Sequence, residues 1–267
     1  MSTDNRRPNV EGRVASGPKD ARNQWFRDHI EEPVHEITRF LDGTGLSFQG
    51  ARVLDVGCGD GFIDLGIVRS LRPAKVFGMD LELPDLEQLR ELAWENLNED
   101  LPHNLTFGTC STTTIPLPDE SFDIVMSWSV FEHVSNPVAV LEEMRRILRP
   151  GGFMFLQIWP LYFSRYGSHL WNWNPGGWEH LTRDHQEIKD EIAASLKNSQ
   201  DLLKATSVDF DTLNRITLDE LQQAISAAGF KIRRLGLQAD VIDVPESLLR
   251  YRLSDLAISG VKLIATR

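Results

Sequence analysis

Three glycines and two aspartates carry the clearest chemical pattern in this sequence. Gly57, Gly59 and Gly61 come directly after an apolar run, and a helical pattern follows them. Without side chains, such a loop can turn sharply and let a ligand approach the backbone closely. Asp55 precedes the loop and suits a ligand that carries an ammonium group. Asp80 ends the next apolar run, where a carboxylate can accept hydrogen bonds from the two vicinal hydroxyls of a ribose.

The loop differs from the glycine pattern of dinucleotide-binding proteins. That pattern, G-x-G-x-x-G, would place its third glycine at Phe62. Asp55 would also add negative charge where a pyrophosphate has to lie. NAD and FAD are therefore disfavoured as ligands.

His133 is the candidate catalytic residue, as a general base. It lies in the segment Ser129-Val-Phe-Glu-His-Val, directly after an apolar run. The ordinary pKa of a histidine suits proton transfer near neutral pH. The alternative is that Glu132 and His133 begin a helix or bond a backbone carbonyl, and the sequence leaves both interpretations open.

Aromatic residues are concentrated between positions 159 and 178, at a spacing that fits neither a strand nor a helix. Flat rings beside polar groups suit the apolar face of a sugar or an aromatic acceptor, so we predict that this segment covers an acceptor site. The alternative is a cap that packs on the sheet for its own stability. The residues predicted to bind the acceptor are Trp25, His29, Tyr162, Tyr166, His169, Trp171 and His180.

Trp25 and His29 belong to an N-terminal helical pattern that would close over the site as a lid. The alternative for Trp25 and Phe26 is simple packing of an amphipathic helix.

A divalent metal is a weaker possibility at the same site. Glu132, His133, His169 and His180 could together hold one, but magnesium prefers oxygen ligands. We therefore assign no residue to a metal site and treat magnesium as possible but not favoured. The two cysteines lack the spacing of a zinc site.

The elements that must position these residues alternate along the chain. Apolar runs predict strands at 51–56, 76–79, 105–109, 122–128, 153–158, 230–237 and 261–266, and helical patterns lie at 21–41, 62–71, 83–97, 137–148 and 217–228. Pro33 is expected to divide the first helix. Pro150-Gly151-Gly152 should separate the helix at 137–148 from the strand at 153–158. This alternation predicts an α/β fold with a doubly wound, Rossmann-like sheet that binds ligands at the carboxyl ends of its strands.

Residues 159–215 interrupt the alternation. We predict that they form an inserted, aromatic-rich cap that is partly helical over 184–203. The expected organisation is a flexible tail at 1–19 and a single domain at 20–267 that contains the cap.

The composition excludes some partners. The chain has 267 residues, and 28 lysines and arginines against 39 aspartates and glutamates give a net charge of −11. This balance argues against general nucleic-acid binding and against anionic membranes. No run approaches the roughly 20 apolar residues of a membrane helix, so we expect no membrane insertion and a cytoplasmic protein. The oligomeric state is not indicated.

Five segments, in order, resemble the class I S-adenosylmethionine-dependent methyltransferases. They are 53–61, Asp80, 116–123, 131–134 and 148–152. The resemblance implies a seven-stranded sheet with its last strand antiparallel, and S-adenosylmethionine as cofactor. It implies that Gly57, Gly59 and Gly61 line the methionine part, that Asp55 helps to hold the amino group and that Asp80 binds the ribose.

The remaining cofactor contacts follow from the same resemblance. Leu81 would pack on the adenine, and Ser129 is assigned to the cofactor site. The family often has an acid that reaches the adenine amino group, but this sequence has Ser111 there. We expect a hydroxyl of Ser111 or Thr112 to replace it.

These observations predict a methyltransferase that acts on a small-molecule hydroxyl by in-line transfer. A carbohydrate or polysaccharide precursor is the favoured acceptor, because the cap resembles, over a few residues, those of carbohydrate-modifying and secondary-metabolite enzymes. One alternative is an aromatic or quinone-like acceptor. An alternative of another class is a non-catalytic adenosyl-binding or scaffold protein.

Overall fold

The computed structural model describes residues 19–171, Trp173 and 175–267. The tail predicted at 1–19 therefore lies, except for its last residue, outside the described residues. Across those that are described, seven strands form one sheet: β1 (Arg52–Val56), β2 (Lys75–Asp80), β3 (Leu105–Thr109), β4 (Phe122–Trp128), β5 (Leu148–Ile158), β6 (Lys231–Ala239) and β7 (Ile258–Thr266).

The strand order is β3-β2-β1-β4-β5-β7-β6. The neighbouring pairs from β3 to β5 are parallel, whereas β7 is antiparallel to both β5 and β6. The predicted doubly wound, seven-stranded sheet with an antiparallel last strand is confirmed. The strand order reverses between β1 and β4, and in such sheets ligands bind in the crevice at the carboxyl ends of these strands.

Helices cover both faces of the sheet. They are α1 (Lys19–Leu41), α2 (Phe62–Leu71), α3 (Leu86–Leu97), α4 (Pro137–Ile147), α5 (Glu179–Thr182), α6 (His185–Ser195), α7 (Gln200–Thr212), α8 (Leu218–Ala227) and α9 (Leu253–Ala257). One hydrophobic core lies between the sheet and α1, α2 and α3. A second lies between the opposite face and α4 and α8.

Three predicted boundaries are corrected. Pro33 lies inside α1, which continues through it because the apolar face of the helix is buried on both sides of the proline. The third helix begins at Leu86 rather than at 83, since Asp85 caps it by accepting the backbone N–H of Gln88. β5 begins at Leu148, before the glycines, because Leu148 already pairs with Phe122 and the ladder absorbs an irregularity there.

The segment at 159–215 has a hydrophobic core of its own. Tyr162, Leu170, Trp178 and Ile188 are among its buried members, and residues after β6 such as Leu248 also contribute. The helix predicted over 184–203 is in fact two, α6 and α7, separated at 196–199. The chain returns to the sheet at Thr217, whose side chain forms the predicted capping box with Glu220.

Within the described part of the chain, no helix combines the length and the apolar character needed to cross a bilayer.

Asp123 joins the three central strands at the amino edge of the sheet. It accepts the backbone N–H of Arg52 at 2.7 Å and contacts the guanidinium groups of Arg52 and Arg149. Burial by itself would raise the pKa of Asp123, but the hydrogen bonds from Arg52 and the charges of Arg52 and Arg149 lower it below its ordinary value.

We expect Asp123→Ala to destabilise the protein by about 1–3 kcal/mol at pH 7, because the part-buried backbone N–H of Arg52 loses its acceptor and two arginines lose their partner. The depressed pKa means that this stabilisation is present above the unfolded value, about 3.9, and is lost as pH falls through the folded value. The free energies of unfolding of variant and wild type, measured by urea denaturation, should therefore converge below pH 4. Glu191→Ala, which breaks an exposed pair with Arg183, is the control and should shift the midpoint little. Equal losses in the two variants would contradict this assignment.

Candidate functional site

The glycine loop lies at the carboxyl end of β1 and leads into α2. Gly57, Gly59 and Gly61 all have positive φ, at 88°, 53° and 78°. A Cβ at Gly57 would lie 2.3 Å from Val130 Cγ1, and one at Gly61 would lie 2.6 Å from Phe107 Cζ. Nothing lies within 4 Å of the equivalent point at Gly59. Packing therefore demands the outer glycines, while the middle one borders open space in which a ligand can approach the backbone.

Asp80 is fixed at the end of β2, next to this loop. Its Oδ2 accepts the backbone N–H of Gly59 at 2.8 Å, and its Oδ1 accepts the N–H of Leu81 at 2.6 Å. Each carboxylate oxygen keeps a further lone pair for a hydroxyl. The arrangement fits a ribose whose two hydroxyls donate to Asp80.

Exposed apolar side chains follow Asp80. Leu81 and Leu83 are each 57% exposed, and such a surface suits a flat heterocycle. Leu81 was predicted to pack on the adenine, and Leu83 extends the same exposed apolar surface.

The loop that holds the predicted adenine contacts lies near Asp80, and its Ser111 hydroxyl bonds within the loop. The backbone N–H of Cys110 donates to the Asp80 carbonyl at 2.8 Å, which brings the 110–114 loop to this edge. Ser111 Oγ accepts the N–H of Thr114 at 2.9 Å, and both Ser111 and Thr112 are exposed. Ser111 therefore stabilises its own loop, and an adenine contact from Ser111 or Thr112 stays a prediction.

Ser129 is held where β4 ends. Its backbone N–H and its hydroxyl both donate to Gln157 Oε1, at 2.8 and 2.7 Å, and its φ is 50°. This contact fixes the chain just before His133.

Asp55 lies beneath the glycine loop with an acidic partner that the sequence analysis did not identify. Asp55 is 2% exposed, and Asp64, in the first turn of α2, is 0% exposed. Burial raises the pKa of Asp55 to about 7, although a hydrogen bond with Asp64 opposes this rise. Burial and the charge of Asp55 raise the pKa of Asp64 well above its ordinary value. The two carboxyl groups therefore lie together beneath the glycine loop, and both have raised pKa values.

His133 ends a short 3-10 turn, Phe131–His133, that follows β4. Its Nδ1 lies 2.8 Å from Thr212 Oγ1, and the Thr212 hydroxyl donates to the Val208 carbonyl at 2.8 Å. Because the single hydroxyl proton is used there, Nδ1 must be the donor, which leaves a lone pair on Nε2. Burial lowers the pKa of His133 to about 4, so the ring is neutral at pH 7.

His169 and Glu132 lie beside His133. The rings of His133 and His169 meet edge to face with centroids 5.1 Å apart. His169 Nε2 and both carboxyl oxygens of Glu132 are buried without a hydrogen-bond partner. Burial raises the pKa of Glu132 to about 8, and burial with the neighbouring His133 and His180 lowers the pKa of His169 to about 3. At neutral pH all three side chains are mostly uncharged.

One potential ligand atom from each of Glu132, His133 and His169 lies within 4.8 Å of the others. This donor set, one carboxylate and two imidazoles, can remove or hold a proton. It can also hold a divalent ion, and imidazole suits zinc or iron better than magnesium.

The structure divides the predicted acceptor residues between two environments. His169 lies at His133, and Trp171 stacks on His169 and lies near Trp159, with centroid distances of 5.8 and 5.9 Å. Tyr162 and His180 instead pack inside the cap, at 5% and 3% exposure. His180 Nε2 bonds the Tyr162 carbonyl at 2.6 Å, so these two side chains stabilise the cap itself.

The other predicted acceptor residues lie further along the surface. Tyr166 lies under the Arg165 guanidinium, and its hydroxyl reaches the Pro175 carbonyl at 3.5 Å. Trp25 stacks on His29 with centroids 3.9 Å apart and meets Phe62 edge to face. Since Phe62 begins α2, Trp25 and His29 lie next to the glycine loop, on the cofactor side of the site. Their roles in acceptor binding stay predictions.

Comparisons with known proteins agree with this geometry. Residues 54–156 match the family model described as a methyltransferase domain. The chain is 32% identical over 152 residues to the ubiquinone biosynthesis O-methyltransferase of Paracidovorax citrulli, covering 51% of this chain and 56% of that protein. It is 29% identical over 212 residues to the protein of the same name from Azoarcus sp., covering 74% and 85%.

Other relatives match over shorter stretches or in fold. An uncharacterized methyltransferase of Schizosaccharomyces pombe is 35% identical over 105 residues, 39% of this chain and 38% of that protein. The chain thus spans about half the length, or less, of most of these curated relatives, the Azoarcus protein excepted.

Solved structures share the fold. A Haloferax volcanii methyltransferase, solved in complex with the Trm112 methyltransferase activator, has a TM-score of 0.54 at 20% identity, over 92% of this chain and 94% of that one. A methyltransferase from Bacillus halodurans has a TM-score of 0.53 at 14% identity, over 86% and 98%. Residues 54–156 are therefore similar to a methyltransferase domain, and the fold is the one that class I methyltransferases of known structure share.

Proposed function

We propose that this protein transfers a methyl group from S-adenosylmethionine to an oxygen of a small-molecule acceptor, with His133 as general base. The observation that carries the proposal is the hydrogen bond from His133 Nδ1 to Thr212, which leaves the Nε2 lone pair free. A neutral imidazole with an oriented lone pair can take the proton of an acceptor hydroxyl. The cofactor supplies an electrophilic methyl group on a sulfonium, and this chain contributes positioning and proton removal.

The residues around the glycine loop fit this cofactor. Asp80 would accept hydrogen bonds from the ribose hydroxyls, the open side of Gly59 would accommodate the methionine part, and Asp55 would accept from its amino group.

We propose an aromatic, quinone-like phenol as the acceptor class rather than the carbohydrate favoured by the sequence analysis. Two kinds of observation support this choice. Two relatives that the chain matches over 152 and 212 residues are named ubiquinone biosynthesis O-methyltransferases. In addition, Trp171 stacks on His169 beside His133 and lies at a tilt to Trp159, and flat rings of this kind suit an aromatic acceptor.

The Glu132–His133–His169 cluster supports a second way of removing the proton. A divalent ion held there would acidify a bound hydroxyl, and His133 would then be a ligand rather than a base.

Chelation separates the two mechanisms. After treatment with a chelator and removal of metal, we expect the wild-type protein to retain its rate of methyl transfer. A rate that disappears, and returns on addition of zinc or iron(II), would replace the general-base mechanism by the metal-assisted one.

The acceptor proposal is tested with methyl-labelled S-adenosylmethionine and two panels of acceptors, catechols and polyhydroxylated phenols in one and neutral saccharides in the other. We expect label to enter the phenols. Transfer to saccharides would restore the carbohydrate interpretation. Binding of S-adenosylhomocysteine without transfer to either panel would favour a non-catalytic adenosyl-binding protein.

A further inference from the structure

We infer that Asp64 is a positioning residue of the cofactor site: it shares a proton with Asp55, and this carboxyl pair releases a proton to solvent when it receives the ammonium group of the ligand. The inference rests on the proposed function, because it assumes the cofactor contact of Asp55. It adds a second acid, a charge state and a linked proton to that contact.

The structure makes room for Asp64 beneath the glycine loop. Asp55 lies in β1 directly opposite Gly78 of β2. A Cβ at Gly78 would lie 2.5 Å from Asp64 Oδ2 and 2.8 Å from Cys58 Cβ. The missing side chain at Gly78 therefore leaves the space that the Asp64 carboxyl fills, between α2 and the sheet.

A backbone hydrogen bond with Val56 reaches Asp55, but within the described part of the chain three of the four carboxyl oxygens of the pair lack a donor. Asp55 Oδ1 and both oxygens of Asp64 are buried without a hydrogen-bond donor. Two ionised carboxylates offer only acceptors, so they can bond each other only when one of them carries a proton. Leaving both ionised in this position would bury two unpaired charges, which is very costly.

The surrounding charges favour a cation as the ligand of this pair. Asp80 in β2 acts on Asp55, and Asp60 in the loop acts on Asp64, both with negative charge. The thiol of Cys58 stays neutral, because burial and these carboxylates raise its pKa. An ammonium group would supply the charge that the cluster needs, and it would donate to the orphaned oxygens.

The proton balance predicts how affinity depends on pH. Since burial raises the pKa of Asp55 to about 7, the empty pair holds two protons at pH 6, one on each carboxyl group, and keeps one shared proton once Asp55 has ionised. Binding of the ammonium group favours the ionised Asp55, so one proton leaves to solvent and a carboxylate–ammonium pair forms. Affinity should therefore fall about tenfold for each pH unit below 7 and level off above it.

The test uses S-adenosylhomocysteine, which carries the same amino acid group, and titration calorimetry in buffers of different ionisation enthalpy. We expect the wild-type protein to release close to one proton per ligand at pH 6 and fewer at pH 8. Binding without proton release at pH 6 would overturn the inference and leave the proposed function intact. No binding between pH 5.5 and 8 would overturn both.

Two variants of Asp64 separate a positioning role from a packing role. Asp64→Asn keeps a hydrogen-bond donor to Asp55, so we expect its affinity for S-adenosylhomocysteine to lie within a few-fold of wild type at pH 7. The pH onset, which is the pH below which affinity begins to fall, should move to a lower value. Asp64→Leu removes the donor, so affinity at pH 7 should fall at least tenfold and the onset should move to higher pH. Glu87→Gln, at an exposed acid of α3, is the matched control and should bind like wild type.

Thermal unfolding without ligand completes the test. Asp64→Leu removes a buried carboxyl, so its melting temperature should equal or exceed that of wild type even though its affinity falls. An Asp64→Leu variant that folds and keeps the wild-type affinity and pH onset would overturn the inference. If Asp64→Leu does not fold, Asp64→Asn provides the test. A pH onset of Asp64→Asn that is unchanged from wild type would then overturn the inference.

Discussion

Asp80→Ala is expected to weaken the binding of S-adenosylhomocysteine by at least about a hundredfold. A hydrogen bond to a charged group contributes about 1.5–3 kcal/mol, and Asp80 would offer one to each of two ribose hydroxyls. The same carboxylate accepts the N–H groups of Gly59 and Leu81, so the variant also releases the glycine loop. Titration calorimetry on purified protein measures the effect directly, without an acceptor.

Asp80→Asn is the matched comparison, because it retains the shape of the side chain and one acceptor oxygen. We expect its loss of affinity to lie between those of wild type and Asp80→Ala. Thermal unfolding of the ligand-free variants shows whether the fold is retained. Ligand at a hundred times its dissociation constant should stabilise wild type by about 2.7 kcal/mol and Asp80→Ala far less. Affinity of Asp80→Ala within threefold of wild type would exclude the ribose role.

The placement of the glycine loop and Asp80 at one edge of the sheet could be predicted from the sequence because its signals are local. Three glycines with positive φ and an aspartate at a strand end each satisfy a requirement that a few neighbouring residues define. The alternation of strands and helices then places both features at the carboxyl edge of one sheet. The prediction therefore required no knowledge of distant contacts.

Asp64 could not be predicted in the same way. An acid in the first turn of a helix is ordinary, since it favours the positive end of the helix dipole. Only the packing of α2 over Gly78 buries this side chain and brings it to Asp55. That packing depends on the missing side chain of a residue in a different element.

The cap shows a second limit of sequence analysis. Residue type identified its rings, but an irregular segment has no period that tells which of them face inward. Tyr162 and His180 complete the core of the cap, whereas His169 extends to His133. The contact between His133 and Thr212 was missed for the same reason, because α7 follows a loop whose path the sequence does not specify.

His133→Ala is expected to lower the turnover of a phenolic acceptor by about 10²–10⁴-fold, the usual contribution of general base catalysis. Affinity for S-adenosylhomocysteine should stay near that of wild type, because the contacts of His133 are with Thr212 and His169 rather than with the glycine loop. Single-turnover rates with bound cofactor measure the chemical step. Thr212→Val removes the hydrogen-bond partner of His133 Nδ1 but leaves the imidazole, so it should lower the single-turnover rate less than His133→Ala does.

The acidity of the acceptor separates a base from a residue that only positions the substrate. A nitro-substituted catechol ionises without help near neutral pH, whereas an unsubstituted catechol has to lose its proton in the active site. If His133 is the base, His133→Ala should therefore slow the unsubstituted catechol much more than the nitro-substituted one. Equal losses on the two acceptors would give His133 a positioning role, and an unchanged rate on both would remove it from the reaction. The comparison isolates proton removal because the two acceptors have nearly the same ring and differ mainly in acidity.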